Sequence, residues 1–318
     1  MNQAKEIYAN LKGYEYFALM CLERIGSIYQ KKGDYAQALS IFCLYHEQNL
    51  KYHETHPHYP LFAEGVAISA GKLSEVYYLL SEDEQTLLYA QLAHEKLEQL
   101  YAKEKEKYQF RLSTSYAKLG EIYERMKKEE QALSLYLKNW EMSTEIYQSE
   151  RENPNYTHSL AISCLKLGDL YAKLKQKELS LTFLEQYHLL SQILYVQEPT
   201  HISHATNLVL SSQRLGSIYQ EKQQFEKALE LFNMGYNIIT NLYQVAADSI
   251  EVKQNKAILC FKIGFIALGI GKIEGEKHLI EAKEIWEGLL SITPNDIEIQ
   301  KHLNTTNKIL TDLEKIPR

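Results

Sequence analysis

A short pattern recurs along the chain at a nearly constant spacing, and this recurrence constrains the fold more than any other feature. It consists of a small anchor residue, apolar residues one before and two after it, and Tyr three after it in five of six copies. The anchors are Gly26, Ser74, Gly120, Gly168, Gly216 and Gly264. Their spacings are 48, 46, 48, 48 and 48 residues. Self-similarity at a fixed period of this length predicts a solenoid of stacked supersecondary units.

Each copy is predicted to form two helices of about 20 residues, joined by a short polar turn. The apolar residues around the anchor share one helical face. A repeated Gly inside a helix costs about 0.5–1 kcal/mol relative to Ala, so it indicates close approach of another helix. The second helix carries Ala twelve after the anchor and an aromatic residue sixteen after it, as at Ala228 and Phe232. Prolines near the copy boundaries end helices, at Pro57, Pro154, Pro199 and Pro294.

This pattern resembles the tetratricopeptide repeat in its Leu-Gly pair, the Tyr three after the Gly, and the Ala and aromatic residue of the second helix. The resemblance extends from about residue 14 to residue 293. It implies an all-α, right-handed superhelix of six helix-turn-helix repeats. The period exceeds the roughly 34 residues of the common repeat, so both helices are expected to be extended. The Trp often found four before the Gly is absent from all six copies.

We predict a single solenoid domain over residues 1–318, with a partial helix at 1–13, six repeats at 14–293, and a capping helix and tail at 294–318. A cap is expected because the first helix of copy six is apolar nearly all round. Phe261 and Phe265 in that helix are predicted to be buried, the alternative being a contact point for a partner.

Composition narrows the function classes. The chain is 45% hydrophobic and 24% charged, which is typical of a folded protein. Its formal charge of −6 argues against nucleic acid as the main ligand. The sequence contains no signal-peptide pattern, no apolar run long enough for a membrane span and no CxxC pair among its four cysteines, so a cytoplasmic location is predicted.

A basic residue stands two positions before every anchor. This position lies nearly opposite the packed stripe and predicts a solvent-facing basic ladder. One interpretation is a binding rail for acidic side chains or a partner's C-terminal carboxylate. The other is inheritance from one ancestral repeat, with Lys and Arg stems covering apolar surface. The ladder consists of Arg24, Lys72, Lys118, Lys166, Arg214 and Lys262.

The resemblance implies that the first helices line the concave surface and carry the ligand-binding groove. Apolar candidates lie six before the anchor, at Met20, Ile68, Ile162, Leu210 and Ile258. Acidic candidates lie one after it, at Glu75, Glu121 and Asp169. Such a surface could hold an extended or helical peptide. Equally, the apolar row could be buried against the preceding repeat. No Asn stands one after an anchor, so a clamp for a chaperone's carboxylate is not expected.

Metal and catalytic chemistry have little support in the sequence. His46, His53, His56 and His58 could hold zinc with Glu54, but a solvated surface is the favoured interpretation. Cys164 and Cys260 lie on the packed face, where burial is expected to leave a thiol inert. Neither a Gly-rich phosphate loop nor an HExxH motif is present. We therefore predict no catalytic residue, no metal site and no cofactor.

These features predict a non-enzymatic scaffold that binds a protein or peptide along its concave surface. One alternative is a regulatory module whose superhelix responds to a small peptide. Another is the repeat part of a larger effector whose enzymatic domain lies elsewhere. Uncovered apolar surface at either end of the solenoid could also support homo-oligomers.

Overall fold

The computed structural model describes residues 14–246 and 248–315. In these ranges the chain forms 13 α-helices and no strand. The predicted partial helix at 1–13 lies outside the described residues. None of the described helices is both long enough and apolar enough to cross a membrane. The helices are α1 Tyr14–Lys31, α2 Tyr35–Thr55, α3 Pro60–Leu79, α4 Asp83–Tyr101, α5 Lys105–Arg125, α6 Glu129–Ser149, α7 Pro154–Lys173, α8 Lys177–Gln197, α9 Ile202–Glu221, α10 Phe225–Val245, α11 Ile250–Gly269, α12 Gly275–Ile292 and α13 Ile297–Glu314.

Odd-numbered helices from α1 to α11 are the first helices of the six copies, and even-numbered helices are the second helices. Each first helix packs against the second helix of its own copy. The all-α fold of repeated helix pairs is thus confirmed. The chain divides into two compact units, Met1–Glu150 and Arg151–Arg318. Unit 1 holds copies one to three, and unit 2 holds copies four to six followed by α13. The prediction of a single domain stays a prediction.

The anchor glycines are sites of close helix packing. A Cβ atom placed on Gly120 would lie 2.5 Å from the ring of Tyr136, sixteen residues on. Gly216 has the same relation to Phe232, at 2.5 Å. The aromatic ring therefore occupies the space that a side chain at the anchor would fill, which is the packing reason that the recurring Gly predicts.

In copy two the small and large residues at these two positions are exchanged. Its anchor is Ser74, and the residue sixteen later is the small Ala90. Ser74 is buried, and its hydroxyl donates a hydrogen bond of 2.9 Å to the backbone carbonyl of Thr86 on α4. A larger anchor is thus matched by a smaller partner, and its polar atom is satisfied across the helix pair.

A left-handed turn seven residues after the anchor ends every first helix. The following amide donates to the carbonyl three after the anchor, as from Lys128 to Tyr123 at 2.9 Å. This six-to-one bond is the Schellman arrangement of helix C-termini. Positive φ angles of 58–80° occur at Gly33, Ser81, Lys127, Lys175, Gln223 and Gly271. Only two of the six turns carry the glycine that such a φ favours.

Buried or partly buried His–Ser pairs join successive copies within the units. In each pair the His lies twenty residues after one anchor, and the Ser lies five residues before the next. The Ser hydroxyl donates to a carbonyl of its own helix, as from Ser211 to Leu208 at 2.9 Å, so it accepts from the imidazole. The Nδ1–Oγ distances are 2.8 Å for His46–Ser69, 2.8 Å for His94–Ser115 and 3.0 Å for His188–Ser211.

The end of unit 2 is covered as the sequence predicts. Trp286 of α12 is fully buried and stacks on His302 of α13, with ring centroids 5.0 Å apart. Ile299 of α13 is buried in the same cluster. At the start of unit 1, by contrast, Ile25 and Ile28 of α1 are exposed, although their equivalents in later copies are mostly buried.

Candidate functional site

The candidate site is the side of the first helices that carries positions six before, two before and one after the anchor. Three or four residues separate these positions, so they share one side of each helix. We call this side the groove face.

In unit 1 the basic and acidic candidates meet across copies. Lys118 of α5 forms an ion pair with Glu75 of α3. Lys72 lies 3.7 Å from Glu75 within its own helix. Arg24 and Lys118 are exposed, whereas Lys72 and Glu121 are partly buried. Glu75 thus stands between two cations of the ladder.

Unit 2 repeats this arrangement with other residue types. Arg214 of α9 pairs with Asp169 of α7. Lys262 of α11 donates a 2.7 Å hydrogen bond to the hydroxyl of Ser217 on α9. Lys262 is partly buried, and this burial lowers the pKa of its ammonium group, partly offset by Glu221. Lys166 is also partly buried, so only some members of the ladder are exposed to solvent.

The structure therefore joins two candidate features that the sequence presented separately. In these pairs a basic residue two before one anchor reaches the residue one after the preceding anchor. Exposed ion pairs contribute only about 0–1 kcal/mol to stability, because water screens them. A partner could exchange such contacts at small cost. The role of the ladder as a binding rail stays a prediction.

The apolar candidates occupy the positions of the groove face that lie six before the anchors. Met20 is exposed, and the other four apolar candidates are partly buried. They are neither free surface nor closed core, so both interpretations of this row remain open.

A small apolar cavity of about 220 Å³ opens on the groove face of unit 1. Three successive first helices, α1, α3 and α5, contribute to it. Arg125 stabilises one wall: its guanidinium lies 3.7 Å from the ring centre of Tyr78 and donates a 2.8 Å hydrogen bond to the Tyr78 carbonyl. The lining residues are Gln30, Ser74, Glu75, Tyr78, Leu79, Lys118, Glu121 and Ile122.

Unit 2 has a larger cavity of about 400 Å³ on its groove face, between α11 and α13. Its apolar residues include Ile258, Phe261 and Phe265, and α13 contributes His302 and Ile309. The rings of Phe261 and Phe265 stack, with centroids 6.1 Å apart. The prediction that both are buried is wrong for Phe265, which is 47% exposed, because α13 leaves space beside that ring. Phe261 is partly buried.

Sequence reasoning missed several lining residues. Gln30, Tyr78 and Gln220 lie four after their anchors, and Leu79 lies five after. They follow the positions one after the anchors by one helical turn, so the helical period places them on the same side. Extending the candidate positions by one turn would have identified them.

The histidine cluster of copy one is divided by the fold. His56 and His58 are exposed, as expected for a solvated surface. The expectation is wrong for His46, which is buried and bonded to Ser69. Its position twenty after the anchor faces the next copy rather than solvent.

The two cysteines predicted to be packed are buried. Burial raises the pKa of the Cys260 thiol far above its ordinary value, and nearby Glu281 raises it further. A thiol with a raised pKa is a poor nucleophile at neutral pH.

Helix pairs that repeat at a fixed period and pack through their anchor residues define a helical-repeat protein. The model of the tetratricopeptide repeat matches residues 21–44, within copy one. No curated protein matches the sequence.

Solved structures share the fold at low sequence identity. The nuclear import adaptor Nro1 of S. pombe is 11% identical, over 92% of this chain and 99% of that one, with a TM-score of 0.62. The apo form of RapI is 17% identical, over 94% and 99%, with a TM-score of 0.57. The apo form of the quorum sensor NprR from B. thuringiensis is 13% identical, over 97% and 76%, with a TM-score of 0.51. The chain thus shares the fold of these helical-repeat structures, and part of copy one matches the tetratricopeptide repeat.

Proposed function

We propose that the chain is a non-enzymatic scaffold that binds a protein or peptide along the groove face of its first helices. The observation that carries this proposal is the unit 1 cavity, because residues from three successive repeats converge on one apolar depression rimmed by charge. Its volume of about 220 Å³ suits one or two apolar side chains of a partner rather than a whole small molecule.

The charges around the cavity suit a segment of mixed character. Lys118 and Glu75 form a pair at its rim, and Glu121 lies beside them. A partner that offers an apolar anchor with flanking acidic and basic groups would bury the anchor and exchange contacts with the rim. The stacked helices hold these groups in place before binding, which reduces the ordering cost of association.

The test compares two Leu→Glu variants of unit 1. Leu79 lines the cavity and is 46% exposed, whereas Leu88 lies on the second helix α4 and is 56% exposed. Peptides would be selected from a random library on the wild-type chain and their affinities measured by fluorescence anisotropy. We expect Leu79→Glu to lower affinity at least about tenfold and Leu88→Glu to leave it unchanged. Equal affinity of all three proteins would contradict the proposal.

A peptide-responsive regulatory module is the second candidate, and the unit 2 cavity favours it. That cavity borders α13, so a ligand entering it would change the contacts of the terminal helix. Hydrogen exchange in α13 would be measured with and without a selected peptide. A change in α13 protection would support this candidate, and unchanged protection with bound peptide would exclude it.

The remaining expectations on partners follow from charge and exposure. The net charge of −6 and the internal pairing of Lys118 and Arg214 support the proposal that nucleic acid is not a main partner. Exposed Ile25 and Ile28 on α1 support association of copies through this end. Sedimentation velocity of Ile28→Lys beside the wild type tests it, since association through this face would weaken in the variant.

A further inference from the structure

A cluster of side chains that are able to coordinate a metal ion lies at the turn between α8 and α9 of unit 2. Glu198, His201 and His204 follow one another at intervals of three residues, and their ligand atoms all lie within 4.8 Å of one another. The turn is fixed by backbone hydrogen bonds from the His201 amide to Glu198 at 3.1 Å and from the His204 amide to His201 at 3.0 Å. These successive turns bring the three side chains together.

Two imidazoles at this cluster have buried nitrogen atoms without partners. His204 is only 6% exposed, and its Nδ1 has no hydrogen bond, the Glu198 carboxylate lying 3.6 Å away. His158 of α7 lies beside it, with ring centroids 6.5 Å apart, and its Nδ1 is also buried without a partner. Each such atom has lost its contact with water without a replacement, which costs free energy.

The surroundings of these rings disfavour their protonation. Burial lowers the pKa of His158, and the neighbouring His204 and His201 lower it further. Burial and His201 also lower the pKa of His204, against the smaller opposing effect of Glu198. Neutral imidazole is the form that coordinates metal ions.

We propose that Glu198, His201 and His204 bind a zinc-class divalent transition-metal ion. Imidazole nitrogen and carboxylate oxygen are the donors that Zn²⁺ accepts at about 2.0–2.2 Å in tetrahedral sites. Glu198 and His201 are exposed, so their side chains can close on an ion held by the buried His204. His201 Nδ1 lies 3.0 Å from the Ser203 hydroxyl, which orients the ring and leaves Nε2 for the metal.

A second cluster in unit 2 provides an internal contrast. Cys260, His278 and Glu281 also have ligand atoms within 4.8 Å of one another. There, however, Lys256 Nζ lies 2.8 Å from Glu281, and the Tyr236 hydroxyl donates to the same carboxylate at 2.9 Å. An ammonium group already supplies the positive charge, so this cluster is not expected to bind the ion.

The experiment is isothermal titration of the tag-free, EDTA-treated full chain with ZnCl₂, supported by the absorption spectrum of the Co²⁺ form. The ligand variants are His201→Asn and Glu198→Gln, which change exposed side chains and leave the core intact. His278→Asn is the matched control at the second cluster. We expect one equivalent of Zn²⁺, a loss of affinity of at least about tenfold in each ligand variant, and no change in the control.

Three results would overturn the proposal. These are the lack of saturable binding of one equivalent, equal affinity of the wild type and both ligand variants, and a loss confined to His278→Asn. A tetrahedral Co²⁺ spectrum that disappears in His201→Asn would support it independently of the affinity measurements.

Discussion

The groove faces of the two units use the same repeat positions for different surfaces. In unit 1 the positions one after the anchors include Glu75 and Glu121, which border a small cavity formed by first helices alone. In unit 2 the last such position is Phe265, and α13 forms one side of a larger cavity. The repeat determines where a side chain points, whereas the residue at that position determines which partner it suits. Differences between copies therefore indicate function better than their common pattern does.

The substitution with the largest expected effect tests whether the packing of α13 distinguishes unit 2 from unit 1. Trp286→Ala removes a side chain that is 1% exposed and stacks on α13. We expect a loss of unfolding free energy of about 3–5 kcal/mol, from lost burial and an unfilled cavity. Urea denaturation measures the loss, and hydrogen exchange should show α13 losing protection. Ile297→Ala at a 79% exposed site is the control; an equal effect there would refute the role of Trp286.

The next effect is pH dependence at a His–Ser pair of unit 2. Burial lowers the pKa of His188 to about 4 from an ordinary value of 6.5. The unfolded chain therefore takes up this proton more readily than the folded chain. The unfolding free energy that depends on a neutral His188 is fully present above pH 6.5. It is lost as pH falls towards 4, by about 3 kcal/mol in total. Urea denaturation from pH 7 to 4 would show a shallower decline for His188→Gln than for the wild type; parallel curves would contradict it.

A smaller effect concerns the anchors, and it extends the comparison to helix packing. Gly120→Ala would place a Cβ 2.5 Å from the Tyr136 ring, and we expect a loss of about 1–3 kcal/mol. Gly71→Ala in α3 meets no atom within 4 Å and is expected to gain about 0.5–1 kcal/mol. Thermal and urea unfolding of both variants would test this, and a stabilising Gly120→Ala would count against the packing argument.

The smallest effect on stability concerns the groove face itself. A double-mutant cycle with Lys118→Gln and Glu75→Gln is expected to give a coupling energy below about 1 kcal/mol, because Lys118 is exposed. The same variants should change the affinity for selected peptides. A coupling energy well above this value would mean that the pair holds the copies together rather than serving binding.

Much of the fold could be predicted because the same packing contact recurs in several copies of the repeat. Gly120 with Tyr136 and Gly216 with Phe232 follow directly from spacing and size. The ion pair of Lys118 with Glu75 could not, because it depends on the offset between neighbouring copies, which is set by helix crossing rather than by the period.

Other features depend on residues that the period does not relate. Burial of His46 requires knowing which side of α2 faces α3, where Ser69 accepts its hydrogen bond. The exposure of Phe265 depends on how closely α13 approaches α11, and α13 lies outside the repeat. His158 is about one repeat away from His204 in sequence, so only the packing of α7 beside α9 brings their rings together.

The left-handed turns have a consequence for how this protein could change over time. Ser81, Lys127, Lys175 and Gln223 adopt a conformation that disfavours side chains by roughly 1 kcal/mol or more each. A mutation to glycine at any of them would relieve this strain without altering the lining of either cavity. A single substitution at any of these four sites could therefore increase the stability of the chain. Descendants of this protein that carry such a glycine could tolerate more destabilising substitutions on the groove face, and so could come to bind new partners.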